Sequence, residues 1–250
     1  MDPFKQFSQK YIKLFQIILS SMSPLNSNRR TFLKYSGTIA LGFLSSTAIS
    51  VGWKGKNITL LGDSIRKGYQ PYVGLYLPEG NNLWGPEGNT QHTVNLLANA
   101  PRWIKNKPAD IIHLNSGLHD IKNIPYNSRR KLVSEELYIE NVERIIKYIH
   151  YCWPECRVIW ATTTPVDEEN ANAAHKESND FSRYNEDVIR YNELSVDLVN
   201  RLGVPVNDLY KFVVEGEKGK IMQEDGVHFT NFGCQLLAEK VADAIHVFIE

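Results

Sequence analysis

From Asn57 onward the chain alternates two kinds of apolar pattern. Short, nearly continuous apolar runs occupy residues 57–61, 110–114, 157–162 and 204–206, with a weaker run at 72–77. Small or polar residues follow the strong runs: Gly62, then Asn115-Ser116-Gly117, then Thr163-Thr164-Pro165, then Asn207-Asp208. Apolar runs of this length without alternation suit strands covered on both faces, as in a parallel sheet.

Between the runs, apolar residues recur at spacings of three and four. Tyr138, Val142, Ile145, Ile146 and Ile149 mark a helix over 134–151, and Val188, Tyr191, Leu194 and Leu198 mark one over 185–201 that Gly203 stops. Leu236, Leu237, Val241 and Ile245 mark a last helix over 231–249, and a less regular one is expected over 90–104. Such stripes pack one face of a helix onto a sheet. Strand alternating with helix predicts an α/β fold of three layers, αβα, around a parallel sheet of about five strands with right-handed crossovers. In these folds ligands sit beyond the carboxyl ends of the strands, so the chemistry belongs on the strand-end loops. Residues 167–180, long and polar, read as a mobile loop over those ends.

Four strand-end segments carry reactive or hydrogen-bonding groups. The first run ends in Gly62-Asp63-Ser64, which exposes a serine hydroxyl at the sheet edge; serine is a poor nucleophile until a base takes its proton. Asp225-Gly226-Val227-His228 precedes the last helix, and a carboxylate three residues ahead of an imidazole can hold Nδ1 and leave Nε2 for a serine. Thr230 is the better cap for that helix, so capping leaves Asp225 and His228 unexplained. Gly88-Asn89-Thr90 offers the amide of Gly88, and Gly117-Leu118-His119-Asp120 offers the His119 ring, as donors to a developing oxyanion.

These segments resemble, in order, the four blocks of the SGNH (GDSL-type) hydrolases, over about Asn57 to the C-terminus. Residues 190–194 (Arg-Tyr-Asn-Glu-Leu) and 206–210 (Val-Asn-Asp-Leu-Tyr) look like that family as well. The resemblance implies a flavodoxin-like fold and cleavage of esters or thioesters, or transfer of acyl groups, without a metal or other cofactor. It implies Ser64 as nucleophile, Asp225 and His228 as the rest of a triad, and the amides of Ser64 and Gly88 as oxyanion donors. Where the family pattern Gly-x-Asn-Asp places an asparagine donor, this chain has His119, whose N–H can take over that bond. Asp63 and Asp120 read as carboxylates that fix loops.

Competing chemistries share these residues. Hydrolase and O-acyltransferase differ only in whether water or an acceptor hydroxyl attacks the acyl-enzyme. A metal site would gather Asp63, His119, Asp120 and His228, but no His-x-x-x-His spacing sets two ligands on one helix face, and none is expected. A noncatalytic glycan-binding module would have no need of Ser, His and Asp together. Tyr69, Tyr72 and Trp84 can stack on sugar rings, and can equally belong to the core or to a lid.

Composition narrows the partners. The 250 residues hold 28 Lys+Arg and 28 Asp+Glu, a formal net charge of zero, which gives no electrostatic footprint for nucleic acid. The three cysteines, Cys152, Cys156 and Cys234, are too few for a disulfide framework; Cys152 and Cys156 are near enough to pair across one helical turn.

The first segment reads as an address. Residues 28–34 are Asn-Arg-Arg-Thr-Phe-Leu-Lys, followed by a mild apolar stretch without a charge until Lys54. Paired arginines ahead of such a stretch resemble a bacterial twin-arginine export signal. Gly37, Gly42, Ser45, Ser46 and Thr47 make the stretch a poor permanent span, although an uncleaved anchor has the same length. Small residues for cleavage lie at 46–48 and 48–50, and Met22 offers a later start. The organisation expected is a leader, 1–50, and one hydrolase domain, 51–250, exported by the twin-arginine machinery and acting on a small-molecule or polysaccharide ester.

Overall fold

A computed structural model describes residues 55–216 and 218–249, all within the unit Val51–Glu250. The expected leader, its arginines and its cleavage sites lie outside the described residues. Five strands form one all-parallel sheet in the order β2-β1-β3-β4-β5: β1 (Asn57–Leu61), β2 (Asn82–Trp84), β3 (Ile111–Leu114), β4 (Arg157–Ala161) and β5 (Val206–Asn207). This order is that of the flavodoxin-like folds, and it reverses direction between β1 and β3. The three-layer α/β expectation holds.

The sheet is buried on both sides, which is why its strands read as unbroken apolar runs. Ile58, Leu60 and Leu61 of β1, every residue of β3, and Val158 to Ala161 of β4 are buried. Helix α1 (Ser64–Val73) packs against α8 (Asn231–His246) on one face; α2 (Thr93–Ala100), α3 (Glu135–Cys152) and α5 (Asn185–Arg201) pack side by side on the other. A π-helical turn, Pro101–Lys105, extends α2. The shorter helices α4 (Glu168–Lys176), α6 (Leu209–Glu215) and α7 (Lys218–Ile221) lie in the later connections.

Helix limits are set by local chemistry. Ser134 Oγ accepts from the Leu137 N–H and starts α3, with Glu135 and Glu136 in the first turn, where the helix dipole favours negative charge. Gly203, at φ +70°, ends α5, and the Val204 N–H returns to the Val199 carbonyl at 2.9 Å, the long bond of a Schellman motif.

Three expectations are corrected. Residues 72–77 are no strand: Asp63 caps α1, whose buried stripe of Ile65, Arg66, Tyr69 and Val73 runs into that segment despite Pro71, and the edge strand is Asn82–Trp84. Residues 167–180 are mostly helical: Asp167 accepts from the Asn170 N–H and starts α4. Cys152 and Cys156 are free thiols, because α3 ends at Cys152 and Cys156 starts the turn into β4 with its Sγ 3.8 Å from the Arg157 carbonyl.

Candidate active site

The loops after β1 and β3 flank the point where strand order reverses, and Ser64 and His119 lie on them. Ser64 is the first residue of α1. Asp63 precedes it with Oδ1 accepting the Ile65 N–H at 2.9 Å, which closes the turn and aims the helix N-terminus. The first amides of a helix have no intrahelical partner, so the Ser64 N–H points away from the helix beside its own hydroxyl. Asp63 is buried; burial raises its carboxyl pKa, while the Ile65 N–H and the charges of Arg183, His228 and Arg66 pull against that rise.

The imidazole that meets Ser64 comes from the far end of the chain. Met222 and Phe229 form an antiparallel bridge, and the Gln223 N–H bonds the His228 carbonyl at 2.8 Å, so a tight hairpin holds the segment between. Asp225 Oδ1 accepts from the N–H groups of Val227 (3.0 Å) and His228 (2.8 Å). Its Oδ2 lies 2.6 Å from His228 Nδ1, and His228 Nε2 lies 2.9 Å from Ser64 Oγ. Burial opposes ionisation of Asp225, but its bonds from the His228 N–H, the His228 ring and the Val227 N–H outweigh it and hold the carboxyl below its ordinary value. A carboxylate at Nδ1 selects the tautomer with the proton there, leaving the Nε2 lone pair for the serine hydroxyl. Gly226 makes the turn possible: φ is +67°, and a Cβ there would lie 2.6 Å from the Asp167 carbonyl. That carbonyl and the bond from the Asp167 N–H to Gly226 O (2.8 Å) seat the hairpin on the start of α4.

The loop after β3 is equally constrained. A Cβ on Gly117 would meet Thr163 Oγ1 at 2.4 Å, so this position accepts only glycine. Asp120 turns inward and accepts from the Thr93 N–H (2.9 Å), the Thr93 hydroxyl (2.5 Å) and the Ser116 hydroxyl (3.4 Å), tying the loop to the start of α2. Burial pushes its carboxyl up to about 7, against those bonds. His119 faces the other way, into a cavity of about 450 Å³ shared with Ser64 and His228, a size usual for small-molecule sites. Its ring makes no hydrogen bond among the described residues. Burial first, then the neighbouring charges of Lys122 and Arg183, holds it down to about 3, so it is a neutral imidazole with one N–H to give.

Gly88 sits differently. The Thr90 N–H bonds Gly62 O at 3.2 Å and Arg66 Nη2 bonds Gly88 O at 2.9 Å, which fixes this loop beside the turn that carries Ser64. Gly88 itself is exposed and does not line the cavity with Ser64.

Other candidates do not reach the site. Tyr69 is buried edge-on to the core His113, Tyr72 packs against the core, and Trp84 lies on the edge strand beneath Lys107; the cavity is lined by none of the three. Among the described residues, no cluster of His, Cys, Asp or Glu is arranged to hold a metal ion. Asp63 Oδ1 accepts from Ile65, and Asp120 accepts from Thr93 and Ser116; Asp63 Oδ2 is buried without a hydrogen-bond partner among the described residues.

The cavity also has walls that the sequence did not advertise. Ala171, Ala174 and His175 of α4, with Phe181 and Arg183 from the segment after it, close one side. The signal available was Asp167 as a cap ahead of Glu168 and Glu169, a helix start hidden by the polarity of the residues after it.

The arrangement can take a proton from Ser64 Oγ, stabilise the resulting imidazolium, and meet a negative oxygen with N–H donors. Solved structures of similar fold include a lipase/acylhydrolase from Enterococcus faecalis (20% identity, TM-score 0.64, covering 78% of this chain and 97% of that one). A GDSL-like lipase from Bacteroides thetaiotaomicron (16%, TM-score 0.61, 77% and 88%) and the acetyl xylan esterase AlAXEase (16%, TM-score 0.61, 76% and 99%) are others. Likeness at these identities shows the fold alone. No curated protein matches the sequence. Residues 89–244 match the family described as "Protein of unknown function (DUF459)", and since this span is more than half of the 250 residues, the chain belongs to that family.

Proposed function

We propose that the protein is an exported serine ester hydrolase. One observation carries the proposal: the unbroken chain of contacts from Asp225 Oδ2 through both nitrogens of His228 to Ser64 Oγ, at 2.6 and 2.9 Å. Ser64 Oγ attacks the ester carbonyl carbon while its proton passes to His228 Nε2. The carbonyl oxygen becomes an oxyanion between the Ser64 amide and the His119 N–H; Gly88, exposed and outside the cavity lining, takes no part. Collapse breaks the bond to the alcohol oxygen, which leaves with the proton from Nε2, and an acyl-Ser64 remains. Water then attacks, gives its proton to His228, and releases the acid.

Water is favoured over an acceptor alcohol by exposure: the side chains of His228 and Asp225 are 41% and 46% accessible, so the base meets solvent freely. The substrate class is an ester of a carbohydrate or another small alcohol; the fold is shared with an acetyl xylan esterase, and export would bring the enzyme to polysaccharide esters. A panel of p-nitrophenyl esters of rising acyl length, then acetylated xylan and peptidoglycan, tests activity and class together. No turnover on any ester would contradict the proposal. Export through the twin-arginine route rests on Arg29-Arg30; changing both to lysine in a reporter fusion should hold it in the cytoplasm, and continued export would contradict that assignment.

A further inference from the structure

The cavity beside Ser64 carries a positive charge that the triad chemistry does not use. Arg183 is 6% exposed and lines the cavity with Ser64 and His119. Its Nε donates to the Leu118 carbonyl at 3.0 Å, and the rest of the guanidinium has no hydrogen bond or ion pair among the described residues. Buried arginines are nearly always paired. A second cation shares its surroundings. The guanidinium carbon of Arg183 lies 4.6 Å, and Lys122 Nζ 4.0 Å, from the centre of the Phe181 ring, which lines the same cavity. Lys122 also has no ion pair among the described residues; burial, then the charge of Arg183, presses its pKa down to about 8, as expected of two cations held close. Among the described residues no acid forms a salt bridge with either cation. The charges of Asp63 and Asp225 act on Arg183 from a distance, while Asp63 Oδ1 is held by the Ile65 N–H and Asp225 Oδ2 by His228. Asp180, which pulls on Lys122, accepts from Ser178 and stands 3.8 Å from His175. Glu224, exposed on the hairpin, lines the same cavity.

We propose that Arg183 and Lys122, set around Phe181, form a subsite for an anionic group of the substrate, a carboxylate or a phosphate, borne close to the ester bond that Ser64 attacks. The inference rests on the ester-hydrolase proposal for the identity of the ligand as substrate. A planar carboxylate or a phosphate matches the free edge of a guanidinium. The preferred substrates are then acetylated acidic sugars over neutral ones.

The test compares kcat/KM for O-acetylated glucose, glucuronic acid and glucose 6-phosphate on wild type, Lys122→Met and Arg183→Met. A charge-assisted contact predicts a charged-to-neutral ratio on the order of tenfold or more in the wild type, lost largely in both variants; the two charged sugars tell carboxylate from phosphate. Arg183→Met also removes the bond to Leu118 O and can disturb the His119 loop or the fold. Lys122→Met touches no backbone group, so a fall in its ratio cannot come from a loosened loop. A wild-type ratio near one, or a ratio unchanged within about twofold in Lys122→Met, overturns the subsite. If no ester is cleaved, calorimetric binding of glucuronate and glucose 6-phosphate against glucose separates the two ideas. Selective binding lost in Lys122→Met keeps the subsite while the hydrolase proposal fails, and binding without selectivity overturns the subsite.

Discussion

Ser64 and His228 stand 164 residues apart in the chain and meet at 2.9 Å. The sheet order brings them together: Ser64 leaves β1 beside the point where the strand order reverses, and His228 reaches it from the hairpin that opens α8, the helix packed against α1. Neither residue needs the other to be folded locally. Their contact is a product of topology, and the proposed activity depends on it.

Asp225→Asn should retain the fold and lose activity. The amide can still accept the turn bonds from Val227 and His228, but it no longer offers a carboxylate to Nδ1, so the tautomer and the imidazolium lose their support. A fall in kcat on the order of 10²–10⁴ is expected, with a much smaller change in KM. Steady-state kinetics on a p-nitrophenyl ester, together with a melting curve, read both.

His119→Ala should lower kcat by roughly 10²–10³, because the bond from this donor strengthens only as charge develops on the carbonyl oxygen. His119→Asn should recover part of the loss. Its ring is free of hydrogen bonds among the described residues and is neutral, so the variant changes little else. Variants that both remain within about threefold of wild type would leave the hole to the backbone amide of Ser64 alone.

Gly226→Ala should damage stability and turnover together. The residue sits at φ +67°, and a Cβ would press on the Asp167 carbonyl at 2.6 Å and the Ala171 N–H at 2.8 Å. The left-handed backbone alone costs a non-glycine roughly 1–2 kcal/mol, and relief of the contact must shift the hairpin that carries Asp225 and His228. Urea denaturation should give a lower midpoint, and kcat should fall at temperatures where the variant is still fully folded.

The preference for an anionic ester should depend on pH through Lys122. Burial, then the Arg183 charge, lowers this ammonium to about 8, so the cation is present below that pH and is lost above it. Arg183, lowered by burial only to about 10, stays charged across the same range. For the glucuronic acid ester the charged-to-neutral ratio of kcat/KM should be steady at neutral pH and decline with a midpoint near pH 8; Lys122→Met should abolish the decline. Taking the ratio cancels the titration of the triad, which both substrates share.

How much of this was legible depended on where the physics is local. The strands were readable because burial on both faces leaves only apolar residues at β3 and β4. Helices α3, α5 and α8 were readable because one stripe of each is buried, with Ser134 and Thr230 capping the starts of α3 and α8 and Gly203 ending α5. Helix α1 was not, since Gly68 and Pro71 break its pattern, and tertiary packing on α8 overrides them. Three-residue β2 gave no pattern at all. Helix α4 buries only Ala171 and Asn172, too little to produce a stripe. Ser64, Asp225 and His228 were legible because each stands on a short turn next to an element end. Arg183 was not, because its importance lies in what α4 and the Phe181 segment fold over, and no local spacing encodes that. Sequence left Tyr69, Tyr72 and Trp84 open between sugar stacking and the core, because nearness to Ser64 in sequence does not say which way a side chain turns; Tyr69 and Tyr72 pack in or against the core, and Trp84 lies on the edge strand next to β1.

The most direct measurement of the central claim is covalent labelling by a fluorophosphonate probe, which reacts only with a serine activated by a base. Intact-protein mass spectrometry should show one adduct on the wild type, mapped by peptide analysis to Ser64, and none on Ser64→Ala or on His228→Ala. Ester turnover in Ser64→Ala should fall in parallel, by a factor on the order of 10⁴ or more, since the members of a triad act as a unit. An adduct at another residue, or ester turnover intact in Ser64→Ala, would contradict the account.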